Sequence, residues 1–135
     1  MNKSQPWFLA VVAAALLSGS ALAVEVKVTL TGANEVPPVT TSAGASGTFN
    51  IGDDGSVSGS IRTHDIAGTM AHIHKGAVGK NGPVVVKLEK DGDTFKVPAG
   101  AKLDAEQLAD FKAGDLYVNV HSEAHKGGEI RGQLK

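Results

Sequence analysis

The chain has 135 residues, 41% hydrophobic, 20% charged and 4% aromatic, enough for one small domain and no more. Its 13 basic and 14 acidic residues leave a formal charge of −1, so the basic field that binds nucleic acid through its phosphates is missing. The absence of Cys excludes a disulfide framework, a thiolate zinc site, an iron–sulfur cluster and a thiol nucleophile, and leaves any metal to His, carboxylate, Met or backbone oxygen.

Residues 1–23 differ from the rest. They open with Lys3, run through the apolar stretch WFLAVVAAALL and end in the small-x-small triplet Ala21-Leu22-Ala23. The apolar run is about half the ~20 residues that a bilayer-spanning helix needs, and no basic flank follows it. The segment reads as a secretory signal peptide, which leaves residues 24–135 as the mature domain, working outside the cytoplasm and without a membrane span. Removing Lys3 with the leader gives 12 basic residues against 14 acidic ones, a formal charge of −2. In a Gram-negative cell the compartment is the periplasm.

From residue 24 the sequence VEVKVTL alternates with period two, which predicts a strand whose core face is Val24, Val26, Val28 and Leu30. Residues 31–47 are rich in Gly, Pro, Ser and Thr and contain Pro37-Pro38, so they read as a loop. Two further strands, 48–51 and 57–61, flank the turn Gly52-Asp53-Asp54-Gly55 as a hairpin. A strand at 70–74 leads through the glycine-rich turn 75–82 to another at 83–88, and Asp91-Gly92-Asp93 makes the next turn. One short helix is predicted, capped by Asp104 with Gln107 three residues on, stapled by Leu103 and Leu108 and ended by Gly114. The last hairpin joins 116–121 to 129–134 around Gly127-Gly128. Six to eight short strands and one helix predict an all-β fold, an antiparallel Greek-key sandwich or barrel of about 110 residues.

Four of the five His fall in two segments, His72 with His74 and His121 with His125. Parity places Met70, His72 and His74 on one face of their strand and Tyr117, Asn119 and His121 on the face of theirs opposite Leu116, Val118 and Val120. If the strands are neighbours, three imidazoles converge on the outer face, and His125 can return to it from the loop. A His-x-His pair has Cα atoms about 6 to 7 Å apart, a span that one ion bridges. Imidazole suits copper, zinc, iron and nickel, and the Met70 thioether tilts the choice to copper, especially Cu(I). Zinc is the alternative, with Glu123 and Glu129 as further candidate ligands. His64, beside Asp65, reads as a loop histidine bonded to its neighbours. The pair Glu129 and Arg131 shares a strand face and reads as an ion pair or as groups that orient an imidazole. No Ser sits on a nucleophile elbow, and residues 76–82 lack the ending and the following helix of a phosphate loop.

The segments AHIHKGA (71–77), NGPVV (81–85), YVNVH (117–121) and GGEIRGQL (127–134) resemble the signature segments of the CHRD domain, the module named for its repeats in chordin. The resemblance spans nearly all of the mature chain. It implies a β-sandwich similar to the Greek-key barrel of Cu/Zn superoxide dismutases, in which His72 and His74 match the His-x-His copper pair and His121 the later copper ligand. Two departures stand out: Met70 replaces a small residue of many members, and His125 precedes Lys126 where the family often has Pro. The histidines that would make a zinc subsite between His74 and His121 are missing, and so is the dismutase disulfide.

The expectation is a periplasmic or secreted copper-binding protein for storage, buffering or delivery. Its ligands are His72, His74 and His121, with His125 and Met70 as fourth or axial groups and a copper-donor or copper-acceptor protein as partner. A dismutase-like redox enzyme on the same site is the runner-up, and a metal-free interaction module the third reading. No catalytic residue is assigned. Metal affinity is expected to fall as imidazole protonates near its ordinary pKa of ~6.5.

Overall fold

The structure is a computed structural model that describes residues 22–135. The expected leader lies outside the described residues except for Leu22, whose carbonyl accepts from the Asp53 N–H, and Ala23, which opens the first strand. Nine strands form: β1 (Ala23–Thr31), β2 (Gly44–Gly52), β3 (Val57–His64), β4 (Gly68–Lys75), β5 (Val84–Lys87), β6 (Glu89–Asp91), β7 (Thr94–Lys96), β8 (Leu116–Ser122) and β9 (Ile130–Gln133). The single α-helix of the described residues, α1 (Ala105–Lys112), carries the expected capping box between Asp104 and Gln107. β6 gives no periodic signal because all three of its residues are exposed.

The strands pair antiparallel in one sheet of order β5-β4-β8-β9-β1-β2-β3-β7-β6. The outermost strands β5 and β6 are consecutive in the chain. Leu88 between them donates its N–H to the Ala71 carbonyl of β4 at 3.0 Å, so the sheet nearly closes on itself as a barrel. Closure hides most of the edge that an open sheet leaves exposed.

The barrel interior holds Val26, Val28, Leu30, Phe49, Ile51, Ile61, Ile73, Phe95, Val118, Val120 and Ile130. Each such side chain, fully buried, contributes roughly 1.5–3 kcal/mol through the apolar surface it removes from water. Val24, expected in the core, is 52% exposed. It stands near the start of β1, in a surface groove shared with Phe111 and the residues that end α1. His64 ends β3 rather than lying in a loop, and its Nδ1 is 3.0 Å from the Asp65 carboxylate.

Candidate metal centre

β8 is buried along its whole length, on both faces. Leu116, Val118 and Val120 point into the barrel, and the alternate residues Tyr117, Asn119 and His121 point outward yet are only 2%, 3% and 8% exposed. The outer face is therefore a second, polar interior and not the open surface that parity alone suggests. Two loops cover it. Residues 32–43 are tied down where Thr41 donates to the Glu129 carboxylate at 2.7 Å, and residues 76–83 where Arg131 donates to the Ala77 and Lys80 carbonyls at 3.1 and 2.7 Å. The loops are joined by the Asn81 amide, which donates to the Val36 carbonyl at 2.9 Å.

β4 and β8 are direct neighbours, and their register puts Met70 opposite His121, His72 opposite Asn119 and His74 opposite Tyr117. This brings together His72, His74 and His121, one ring nitrogen from each lying within 4.8 Å of the others. Ring centroids are 5.0 Å apart for His72 and His121, 5.5 Å for His72 and His74, and 6.2 Å for His74 and His121. His74 and His121 are buried, and His72 is half-buried at the open side.

Hydrogen bonds constrain the tautomers. His121 Nδ1 donates to the Lys126 carbonyl at 2.8 Å, because a carbonyl only accepts, and His74 Nδ1 lies 2.9 Å from the Gly82 carbonyl. The neutral His121 ring then carries its lone pair on Nε2, and the His74 ring does so when its proton stays on Nδ1. A backbone carbonyl on the far nitrogen is the support that metal-binding histidines ordinarily have. His72 Nδ1 lies 3.1 Å from His121 Nε2 and donates to it. His74 Nε2 lies 2.9 Å from the Asn119 side-chain oxygen. The Asn119 NH2 is turned to the Glu35 carboxylate, so both nitrogens of His74 face oxygen acceptors, and in the neutral ring only one of the two contacts carries a proton.

Burial pushes both of the β4 histidines towards the neutral form. The His72 pKa falls to about 4, chiefly by desolvation and then by the neighbouring His121, His74 and Lys87 charges. That of His74 is also lowered, by desolvation first, with the bonds to Gly82 and Asn119 opposing. A neutral ring is the form that ligates. The set is all imidazole, which suits copper or zinc and lacks the oxygen donors that magnesium or calcium require.

The remaining expected site residues part company here. Met70 is 53% exposed and lies at the border of the cluster, across from His121. His125 does not join the gathered nitrogens. Its backbone closes a turn with Ser122, and it lines a cleft with Glu35, Val36 and Pro37 instead. Glu129 accepts from Ser122 and Thr41, each at 2.7 Å, so it pairs with neither Arg131 nor an imidazole. Glu123 is exposed, 3.9 Å from Lys126.

Further residues complete the surroundings, among them Arg131, one of the groups expected to orient an imidazole. Tyr117 stacks on His74, Arg131 stacks on Tyr117, and Asn119 reaches from His74 to Glu35. Desolvation raises the Glu35 pKa, with Arg131, the Asn119 bond and His125 opposing. Parity already put Tyr117 and Asn119 on the face of His121. Glu35, in a loop 84 residues before Asn119, gave no such signal.

The family model of the CHRD domain matches residues 26–134. No curated protein and no solved structure matches the chain.

Proposed function

This chain belongs to the CHRD domain family, and we propose that it binds copper in the periplasm or outside the cell, for storage, buffering or delivery. The observation that carries the reading is the meeting of three imidazole nitrogens within 4.8 Å, two of the rings already held by backbone carbonyls on their far side. The ion is cargo, held by His72, His74 and His121. An all-imidazole set without carboxylate favours copper over hard divalent ions, and zinc is the competitor. The half-buried His72 leaves a side from which a donor or acceptor protein reaches the ion. His74 is the conditional ligand, since Asn119 must give up its Nε2 before an ion takes it.

The test is a copper titration of the processed protein, read by native mass spectrometry and by EPR of the Cu(II) form. One tightly held copper with nitrogen hyperfine structure, lost in the His72→Ala, His121→Ala double variant, is the expected result. Stoichiometric zinc without copper would transfer the site to zinc. Binding of neither metal would remove the proposal and return the protein to the metal-free interaction module.

A further inference from the structure

We propose that Met70 is the landing ligand for a monovalent copper ion, which passes over its thioether on the way into and out of the histidine site. This rests on the copper reading of that site and adds to it a route, a chain residue and an oxidation state.

The geometry carries the argument. Met70 and His121 are directly opposed across the β4/β8 ladder, with side chains on the same face. Both line a surface cleft of about 360 Å³ together with Thr69, Ser122, Glu123 and Lys126. His121 is 8% exposed and Met70 is 53% exposed, so along this cleft the thioether meets solvent before the imidazole does. The pairing of β4 with β8 is irregular between Gly68 and Met70. Such irregularities bend a strand and re-aim the side chain beside them. A large apolar side chain left in water at the mouth of a polar site has lost the burial that ordinarily holds Met in a protein.

The chemistry selects the ion. A thioether is soft and uncharged, it stays unprotonated where imidazole does not, and it prefers Cu(I) to Cu(II) or Zn(II). The charged groups on the cleft, Glu123 and Lys126, face each other at 3.9 Å with opposite signs, so no net charge draws cations in general. Selection at the mouth then depends on softness.

The transfer is a ligand exchange without change of oxidation state. The Met70 sulfur gives a lone pair to the ion as a ligand of the donor leaves, and His121 Nε2 then displaces the sulfur. The ion takes the place of the His72 proton that Nε2 accepts at present. His72 moves that proton through water to its other nitrogen and stays neutral. Export runs the same steps backwards.

The experiment compares the parent protein with Met70→Leu, an exposed substitution that keeps size and apolar character. Equilibrium affinity and stoichiometry for Cu(I) are measured by competition under anaerobic reducing conditions, and exchange by the rate of Cu(I) transfer to a colorimetric chelator. The expected result is one Cu(I) per chain in both proteins at closely similar affinity, with transfer in the variant slowed about tenfold and Zn(II) exchange unchanged. An unchanged Cu(I) transfer rate overturns the proposal. So does an affinity that falls as far as the rate, which would make Met70 a resident ligand. A parent protein that takes up no Cu(I) removes the copper reading itself, and stoichiometry shows that outcome before any variant is compared.

Discussion

Tyr117 lies flat against His74, ring centroids 4.8 Å and planes 3° apart, and the Arg131 guanidinium covers the other face of Tyr117 at 3.5 Å. Arg131 is 1% exposed, and its donors are taken by the Asn81 side chain and the Ala77 and Lys80 carbonyls. The stack therefore joins β4, β8 and β9 to the loop that supplies the Gly82 carbonyl to His74. The orientation of one imidazole depends on a cation two layers away.

Arg131→Lys keeps the charge and loses the planar fork and the stack, so it is expected to destabilise the protein by about 3 kcal/mol. Urea unfolding checks this. A change within a few tenths of a kcal/mol would mean that the guanidinium is not the anchor of the loop.

Tyr117→Phe keeps the stack and removes the oxygen that accepts from the Gly82 N–H at 3.1 Å. A loss of about 1 kcal/mol is expected. Faster hydrogen exchange at Gly82, measured by NMR, should accompany it, with the global fold unchanged.

Gly128 has φ +120°, and a Cβ there would meet the Glu35 carboxylate and lie 2.6 Å from the Asn119 amide nitrogen. Gly128→Ala is expected to cost about 1–3 kcal/mol from backbone strain alone, and more from the contact. Thermal unfolding reads the loss. A neutral result would show that the Glu35 to Asn119 bridge is dispensable.

For the metal-free protein, the lowered pKa values of His72 and His74 set the sign of their share of the pH dependence. His72 stays neutral in the folded state down to about pH 4, whereas the unfolded chain protonates near its ordinary pKa of 6.5. At this ring the unfolded state then binds more protons across that window, so its share of the stability is full above about pH 6.5 and is lost progressively towards pH 4, while the raised Glu35 pKa acts in the opposite sense. His72→Asn removes the His72 share and should flatten the curve of denaturation midpoint against pH. A parent curve that falls no further than that of His72→Asn between these values would contradict the burial of this ring. The same shift moves proton competition for the metal at His72 below the ~6.5 expected of a free imidazole.

Placement separates the histidines in binding. His72→Ala and His121→Ala are each expected to weaken metal binding by about 10- to 100-fold, and His125→Ala to leave it unchanged. Calorimetric titration of the three variants checks this. An effect of His125 equal to that of His121 would mean that the turn at 122–125 folds back over the ion.

Much of the frame was legible locally. The alternation of β1, the hairpin at Gly52 to Gly55 and the Asp104 capping box depend on neighbours within a few residues, and each appears as read, as do the parity of His72 with His74 and the membership implied by the four signature segments. Val24 was misjudged, and β6 and β7 were missed, because the exposure of a strand-end residue and the pairing of three-residue strands depend on what lies beside them. Of the stretch 31–47 read as a loop by its Gly and Pro, residues 32–43 are one, whereas 44–47 begin β2, because their pairing with β1 gives their small residues a ladder that composition does not reveal. That residues 32–43 cover the outer face of β8 was not legible, since that depends on Thr41 meeting Glu129 and Val36 meeting Asn81.

By itself, then, the sequence determined the longer strands, the candidate ligand types and the face on which His72, His74 and His121 stand, because period two and side-chain chemistry are properties of a few adjacent residues. Only the tertiary structure decided that β4 lies beside β8, that Met70 faces His121, that His125 turns away and that the histidine face is covered. Those facts join residues some 50 positions apart. They follow from closing the sheet and packing loops over it, where strand pairing is set by neighbours across the sheet more than by any preference of the local chain.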